Sequence, residues 1–116
     1  MPREGSARER VARAEEILKA NIGDPRLSPS VLARKLNVDL PTFSRAFKQL
    51  TGKTCTHYIA TERIRIAKDL LVSDGGLVKE IASRVGFRNP NYFTRRFRAM
   101  EGLSPTTYRR QRRGNS

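Results

Sequence analysis

The sequence predicts an all-α fold of seven helices arranged as two similar halves. Three observations carry this expectation. Apolar residues recur at helical spacing, and no run alternates as a half-buried strand would. Capping and stop residues punctuate the chain at intervals that suit short helices. Part of the chain also repeats itself at an offset of 49 to 50 residues.

The first amphipathic segment runs from about Ala7 to Ile22, with Val11, Ala14, Leu18 and Ile22 near one face, and stops at Gly23-Asp24-Pro25. Ser28-Pro29 is an N-cap followed by a first-turn proline, and opens a short helix carrying Val31, Leu32, Ala33 and Leu36. Asp39 caps the next helix, which carries Phe43, Ala46, Phe47 and Leu50 and ends at Gly52. A longer helix spans about Thr56 to Val72, with Ile59, Arg63, Ile64, Ala67 and Leu71 in register. Ser73-Asp74-Gly75-Gly76 breaks the pattern. A short helix follows from about Val78 to Arg84, then one from Pro90 to Met100 capped by Asn89 and stopped by Gly102. Ser104-Pro105 starts a last helix that ends in the basic run RRQRR. Residues 1–9 are expected as a flexible N-terminal segment and 111–116 as a basic tail. That tail reads either as a polyanion-binding end or as a solubilising terminus.

Composition narrows the function classes. The 116 residues suffice for one modest core, and 37% hydrophobic residues is too many for a disordered chain. No apolar run is long enough to span a membrane, so no membrane partner is expected. Cys55 and His57 are the lone cysteine and histidine, which excludes an internal disulfide and a cysteine-based metal site. Two residues apart on a helix they point to different faces, and no acidic orienter stands at a telling spacing. The expectation is a chain that is not an enzyme and holds no cofactor and no metal.

The charge is +13, from 24 Lys plus Arg against 11 Asp plus Glu, and the arginines dominate. Such an excess marks a polyanion partner, and arginine is the better bidentate donor to phosphate and to guanine edges. Charge alone does not separate DNA from RNA or from an anionic membrane.

The repeat sharpens this. LARKLNVDLPTFSRAFKQLTGKTCTHY, from Leu32 to Tyr58, matches IASRVGFRNPNYFTRRFRAMEGLSPTTY, from Ile81 to Tyr108. Ala33 and Ala82 let two helices approach. Asn37 and Gly86 tolerate positive φ and permit a sharp turn. Val38 and Phe87 tuck that turn against the core, and Asp39 or Asn89 caps the second helix. Phe43, Phe47 and Tyr58 match Phe93, Phe97 and Tyr108 as core residues. This is the pattern of a helix-turn-helix, here in tandem, whose second helix enters a DNA major groove.

With these residues in place, the sequence resembles the DNA-binding domain of AraC/XylS-type transcriptional regulators. The most specific stretch is EIASRVGFRNPNYFTRRFRAMEGLSPTTYR, from Glu80 to Arg109, supported by ERIRIAKDLL, from Glu62 to Leu71. The resemblance implies two helix-turn-helix lobes, about 10–55 and 77–110, on a linker helix of about 56–72. It implies sequence-specific binding of double-stranded DNA, with recognition helices in successive major grooves. Further implied partners are RNA polymerase and a separate sensor domain in a longer parent chain, with Pro2 to Glu9 as a linker remnant, and a complete short regulator is the equal alternative; the implied place is the bacterial cytoplasm, nucleoid-associated when bound. The alternative class is an RNA-binding or ribosome-associated basic helical protein, which would lack the usual stacking aromatics and sheet of RNA modules.

By the resemblance, the base-facing positions are Pro41, Thr42, Ser44, Arg45, Pro90, Asn91, Thr94 and Arg95. Lys48, Lys53, Arg96 and Arg98 are read as phosphate contacts, and Arg63 as one half of an intramolecular ion pair. Glu15-Glu16 reads as a solvated helix face. The first lobe departs from the family pattern at Pro41, which has no hydrogen bond to offer a base edge, although it can pack on a thymine methyl. Direct readout by that lobe then rests mainly on Arg45, with Ser44 and Thr42 in support. In the second lobe Asn91 suits adenine and Arg95 suits guanine.

Overall fold

The computed structural model describes residues 6–114 and shows seven helices among them and no strand. They are α1 (Ala7–Ala20), α2 (Pro29–Lys35), α3 (Leu40–Thr51), α4 (Cys55–Ser73), α5 (Val78–Arg84), α6 (Pro90–Glu101) and α7 (Pro105–Gly114). The predicted all-α class and helix count therefore hold. The chain divides into two compact units. One comprises residues up to Ile22 together with Arg26–Ile59, and the other Gly23–Pro25 with the chain from Ala60 onward.

The first helix starts at Ala7, where the apolar spacing puts it. Ser6 accepts the N–H of Glu9, and the Glu9 carboxylate accepts that of Ser6, a reciprocal cap that fixes the first turn. Helix therefore begins at Ala7, inside the segment expected to be flexible, while residues 1–5 lie outside the described ones. At the other end helix continues to Gly114 through most of the expected tail; 115 and 116 lie outside the described residues. The first helix ends at Ala20, two residues early, because Asn21 caps it with bonds to Ile17 and Leu18 carbonyls.

In the first unit α3 packs on α1 and α2. Its core joins Val11, Ala14 and Leu18 of α1 to Leu32 and Ala33 of α2, Phe43 and Phe47 of α3, and Cys55 and Ile59 at the start of α4. Tyr58 meets Phe47 edge-on at 5.2 Å. Its hydroxyl donates to Glu15 at 2.9 Å, so Glu15 is half-buried and does not belong to a purely solvated face.

The second unit repeats the plan. Ile64, Ala67 and Leu71 of α4 pack with Ile81, Ala82, Val85, Phe87, Phe93, Phe97 and Tyr108. Phe97 meets Tyr108 edge-on at 5.5 Å, the counterpart of the Phe47–Tyr58 pair. One charged side chain, Arg63, is buried among the described residues, at 8% exposure. Its guanidinium donates to the Asp24 carbonyl at 2.8 Å and lies 5.8 Å from the centre of the Phe87 ring. Burial lowers its pKa and the Asp24 charge opposes that shift, which supports the expected intramolecular role.

Candidate nucleic-acid interface

Each unit contains a short helix, a positive-φ turn and a capped second helix. Asn37 turns at φ 59° and Gly86 at φ 107°, as the repeat predicted. In both, the residue after the turn closes back on the first helix: Val38 N–H donates to Ala33 and Phe87 N–H to Ala82. The turn thereby fixes where the second helix starts.

The caps are acidic or amide side chains, as their sequence positions suggested. Asp39 accepts the Thr42 N–H at 3.0 Å, and this bond holds its carboxyl below the ordinary value. Asn89 accepts two N–H groups, from Asn91 and Tyr92. Both helices end on a glycine in the left-handed region, Gly52 at φ 82° and Gly102 at φ 79°. The following helices are capped alike: Thr54 accepts the His57 N–H and Ser104 that of Thr107. The sequence reading found Ser104 from its proline but missed Thr54, whose only signal was its place in the repeat.

Core phenylalanines decide which face of α3 and α6 is left outside. Phe43 and Phe47 turn one face of α3 inward, as Phe93 and Phe97 do for α6. On α3 the residues at i, i+3, i+4 and i+7 from Pro41 are Ser44, Arg45 and Lys48, and all four are exposed. They share a concave surface of about 630 Å³, to which Pro29 and Cys55 also contribute. On α6 the matching stripe is Asn91, Thr94, Arg95 and Arg98, exposed except for half-buried Thr94. Lys48 and Arg98 therefore stand in register, two turns along from Pro41 and Asn91.

Other predicted residues lie elsewhere. Thr42 is half-buried, and its N–H is engaged by Asp39. Pro90 is the exposed first residue of α6, where α3 has Leu40. Lys53 is exposed just beyond the Gly52 cap. Arg96 is half-buried with its Nε out of solvent, unlike exposed Arg98. Cys55 is buried, and burial pushes its thiol up to about 12, so no thiolate nucleophile forms near neutral pH.

Sequence reasoning passed over Tyr92. It is 40% exposed, in register with Thr42, and its ring lies 5.9 Å from Phe87. The Arg95 guanidinium lies 5.8 Å from that ring, a cation–π contact that restrains the arginine before any ligand arrives. The available signal was an aromatic three residues before an arginine on the outward face.

The basic run at the end of α7 makes bonds within the second unit. Arg109 donates to the carbonyls of Leu71 and Asp74, and Arg113 to that of Val72. These bonds satisfy carbonyls at the α4 C-terminus. Arg112 lies 4.9 Å from the Tyr108 ring. Much of the tail's charge is thus tied into the second unit.

A family profile described as "helix-turn-helix domain" matches residues 32–111, which covers both turns and both outward stripes. The chain belongs to the helix-turn-helix family of AraC/XylS-type transcriptional regulators. This is a family of DNA-binding regulators and not an enzyme fold. The C-terminal domain of AraT, a response regulator from Geobacillus stearothermophilus, is 33% identical with a TM-score of 0.85, over 88% of this chain and 84% of that one. The DNA-binding domain of AdpA, a global transcriptional factor solved with a target DNA, is 30% identical with a TM-score of 0.83, over 91% of this chain and 97% of that one. YesN of Bacillus subtilis (strain 168), named as an uncharacterized transcriptional regulatory protein, is 30% identical over 91% of this chain and 30% of its own length. The chain spans about a third or less of the length of the first curated relatives it matches. No helix among the described residues is long and apolar enough to cross a membrane.

Proposed function

We propose that the chain binds specific sites in double-stranded DNA by laying α3 and α6 into successive major grooves, and so regulates transcription. The observation that carries this is the pair of matching outward stripes, Pro41/Ser44/Arg45/Lys48 and Asn91/Thr94/Arg95/Arg98, each on a capped helix after a positive-φ turn. Arg45 and Arg95 sit mid-stripe, where a guanidinium reaches base edges. Lys48 and Arg98, one turn further along, suit phosphates, which set register and carry no sequence information. The unbroken α4, at 19 residues about 28 Å long by helical rise, is the element that would fix the spacing. RNA polymerase and a sensor domain elsewhere in a longer parent chain remain proposed partners, in keeping with the fraction of its relatives that the chain spans. The proposed place of action is the bacterial cytoplasm.

The test is selection of bound duplexes from a random pool, followed by footprinting and a salt titration. A single preferred site protected over two grooves is expected. If six to ten phosphates are neutralised, log affinity falls against log salt with a slope of roughly −5 to −9. A slope shallower than about −2 contradicts a two-helix footprint. Arg95→Ala is expected to relax base preference more than Arg45→Ala, whereas Lys48→Ala weakens all sequences alike. Equal or tighter binding to RNA of the same sequence overturns the reading.

A further inference from the structure

Resting on the DNA-binding reading above, we propose that the first recognition helix reads the 5-methyl group of a thymine, with Pro41 as the specificity-determining residue. The two outward stripes begin differently. In the repeat register Pro41 of α3 stands where α6 has Asn91. Asn91 offers a donor and an acceptor to a base edge. Pro41 offers neither, since its side chain is hydrocarbon and its ring nitrogen carries no hydrogen.

Pro41 is nevertheless exposed, at the second position of a helix whose entry is fixed by the Asp39 cap. It forms part of the 630 Å³ concavity with Pro29, Ser44, Arg45, Lys48 and Cys55, and the surface of that concavity is predominantly apolar. Its two cations, Arg45 and Lys48, lie one and two turns beyond the proline on the same stripe. An apolar surface next to two cations fits a duplex edge on which one apolar group lies beside the phosphate backbone. Among the four bases the major groove displays one such group, the thymine methyl. Proline suits the contact further because its side chain has no rotamer entropy to lose. The first helix then discriminates by burying a methyl, and the second by hydrogen bonds.

The test starts from the duplex selected for the whole chain. The half covered by the first helix is the one whose base preference changes in Arg45→Ala. Each thymine in that half is replaced singly by uracil, which removes the methyl and leaves the Watson–Crick edge intact. One replacement is expected to weaken binding about fourfold, the worth of one buried methyl. At that position a 5-methylcytosine·guanine pair should bind better than an unmethylated cytosine·guanine pair. Pro41→Gly, which leaves no apolar side chain, should bring the uracil penalty under twofold, and Pro41→Asn should move the preference there toward adenine, as expected opposite Asn91. If wild-type protein tolerates every uracil within twofold, methyl readout is overturned while duplex binding stands. If the penalty persists undiminished in Pro41→Gly, the methyl is read by another residue and the assignment fails. Failure to select any duplex overturns the underlying reading and this one together.

Discussion

The two lobes solve the same architectural problem with different chemistry. In the first lobe the turn residue is Asn37 at φ 59°, well inside the left-handed region, and the following Val38 is half-buried. In the second it is Gly86 at φ 107°, itself buried, and the following Phe87 is a full core residue against Phe93 at 5.1 Å. The short helix of the first lobe is capped by the Ser28 hydroxyl. That of the second has Leu77 at the cap, with the Glu80 carboxylate accepting its N–H instead. The difference teaches that a positive φ and a closing bond back to Ala33 or Ala82 recur, while the second turn, buried and at the larger φ, is the more demanding of its residue. It also shows where the second lobe depends more on packing, through Phe87 and the buried Arg63.

The largest effect that can break this comparison lies in the aromatic pairs. Phe47 and Phe97 are both fully buried and occupy equivalent places. Phe97→Ala and Phe47→Ala should each cost about 3–5 kcal/mol. Hydrogen exchange should show the loss of protection concentrated in the unit that carries the substitution. Equal loss in both units from either change would mean that the two repeats do not keep separate cores.

A smaller effect separates the turns. Gly86→Ala places a side chain at a φ that L residues rarely adopt, and should cost about 1–3 kcal/mol in a denaturant titration. Asn37→Gly keeps the turn and should change stability by about 1 kcal/mol or less. If both substitutions cost the same, the claim that the second turn is the more demanding one fails.

The smallest effect concerns pH and belongs to the second lobe. Asp74 is held below its ordinary value of 3.8 by the Arg84 guanidinium and by the Gly76 N–H. A carboxyl whose pKa is lowered by folding stabilises above its unfolded value and loses that contribution as pH falls through the folded value. Denaturant midpoints should therefore drop as pH goes below 3.8, and Asp74→Asn should flatten part of that drop. Arg84 is exposed and Asp74 half-buried at the surface, so the effect should shrink in high salt. A salt-independent drop would point to a buried group instead.

Most of the fold was legible in the sequence because its signals are local. Ser28, Asp39 and Asn89 cap helices because a short polar side chain reaches an N–H two or three residues on. Asn37, Gly52, Gly86 and Gly102 mark turns because few residues adopt positive φ. The spacing of Phe43, Phe47, Phe93 and Phe97 fixed which face of each recognition helix is buried, and hence the outward stripes. What the sequence by itself did not decide is the fate of individual arginines. Arg63, Arg95, Arg96, Arg109 and Arg113 carry the same local signal, yet one is buried against Phe87 and bonds to a carbonyl, one lies beside Tyr92, one is half-buried and two more bond to carbonyls. The carbonyl partners of Arg63, Arg109 and Arg113 lie 35 to 41 residues away along the chain. A long side chain on four rotatable bonds goes wherever the packed backbone offers an acceptor or a ring, and only the tertiary structure brings those within reach.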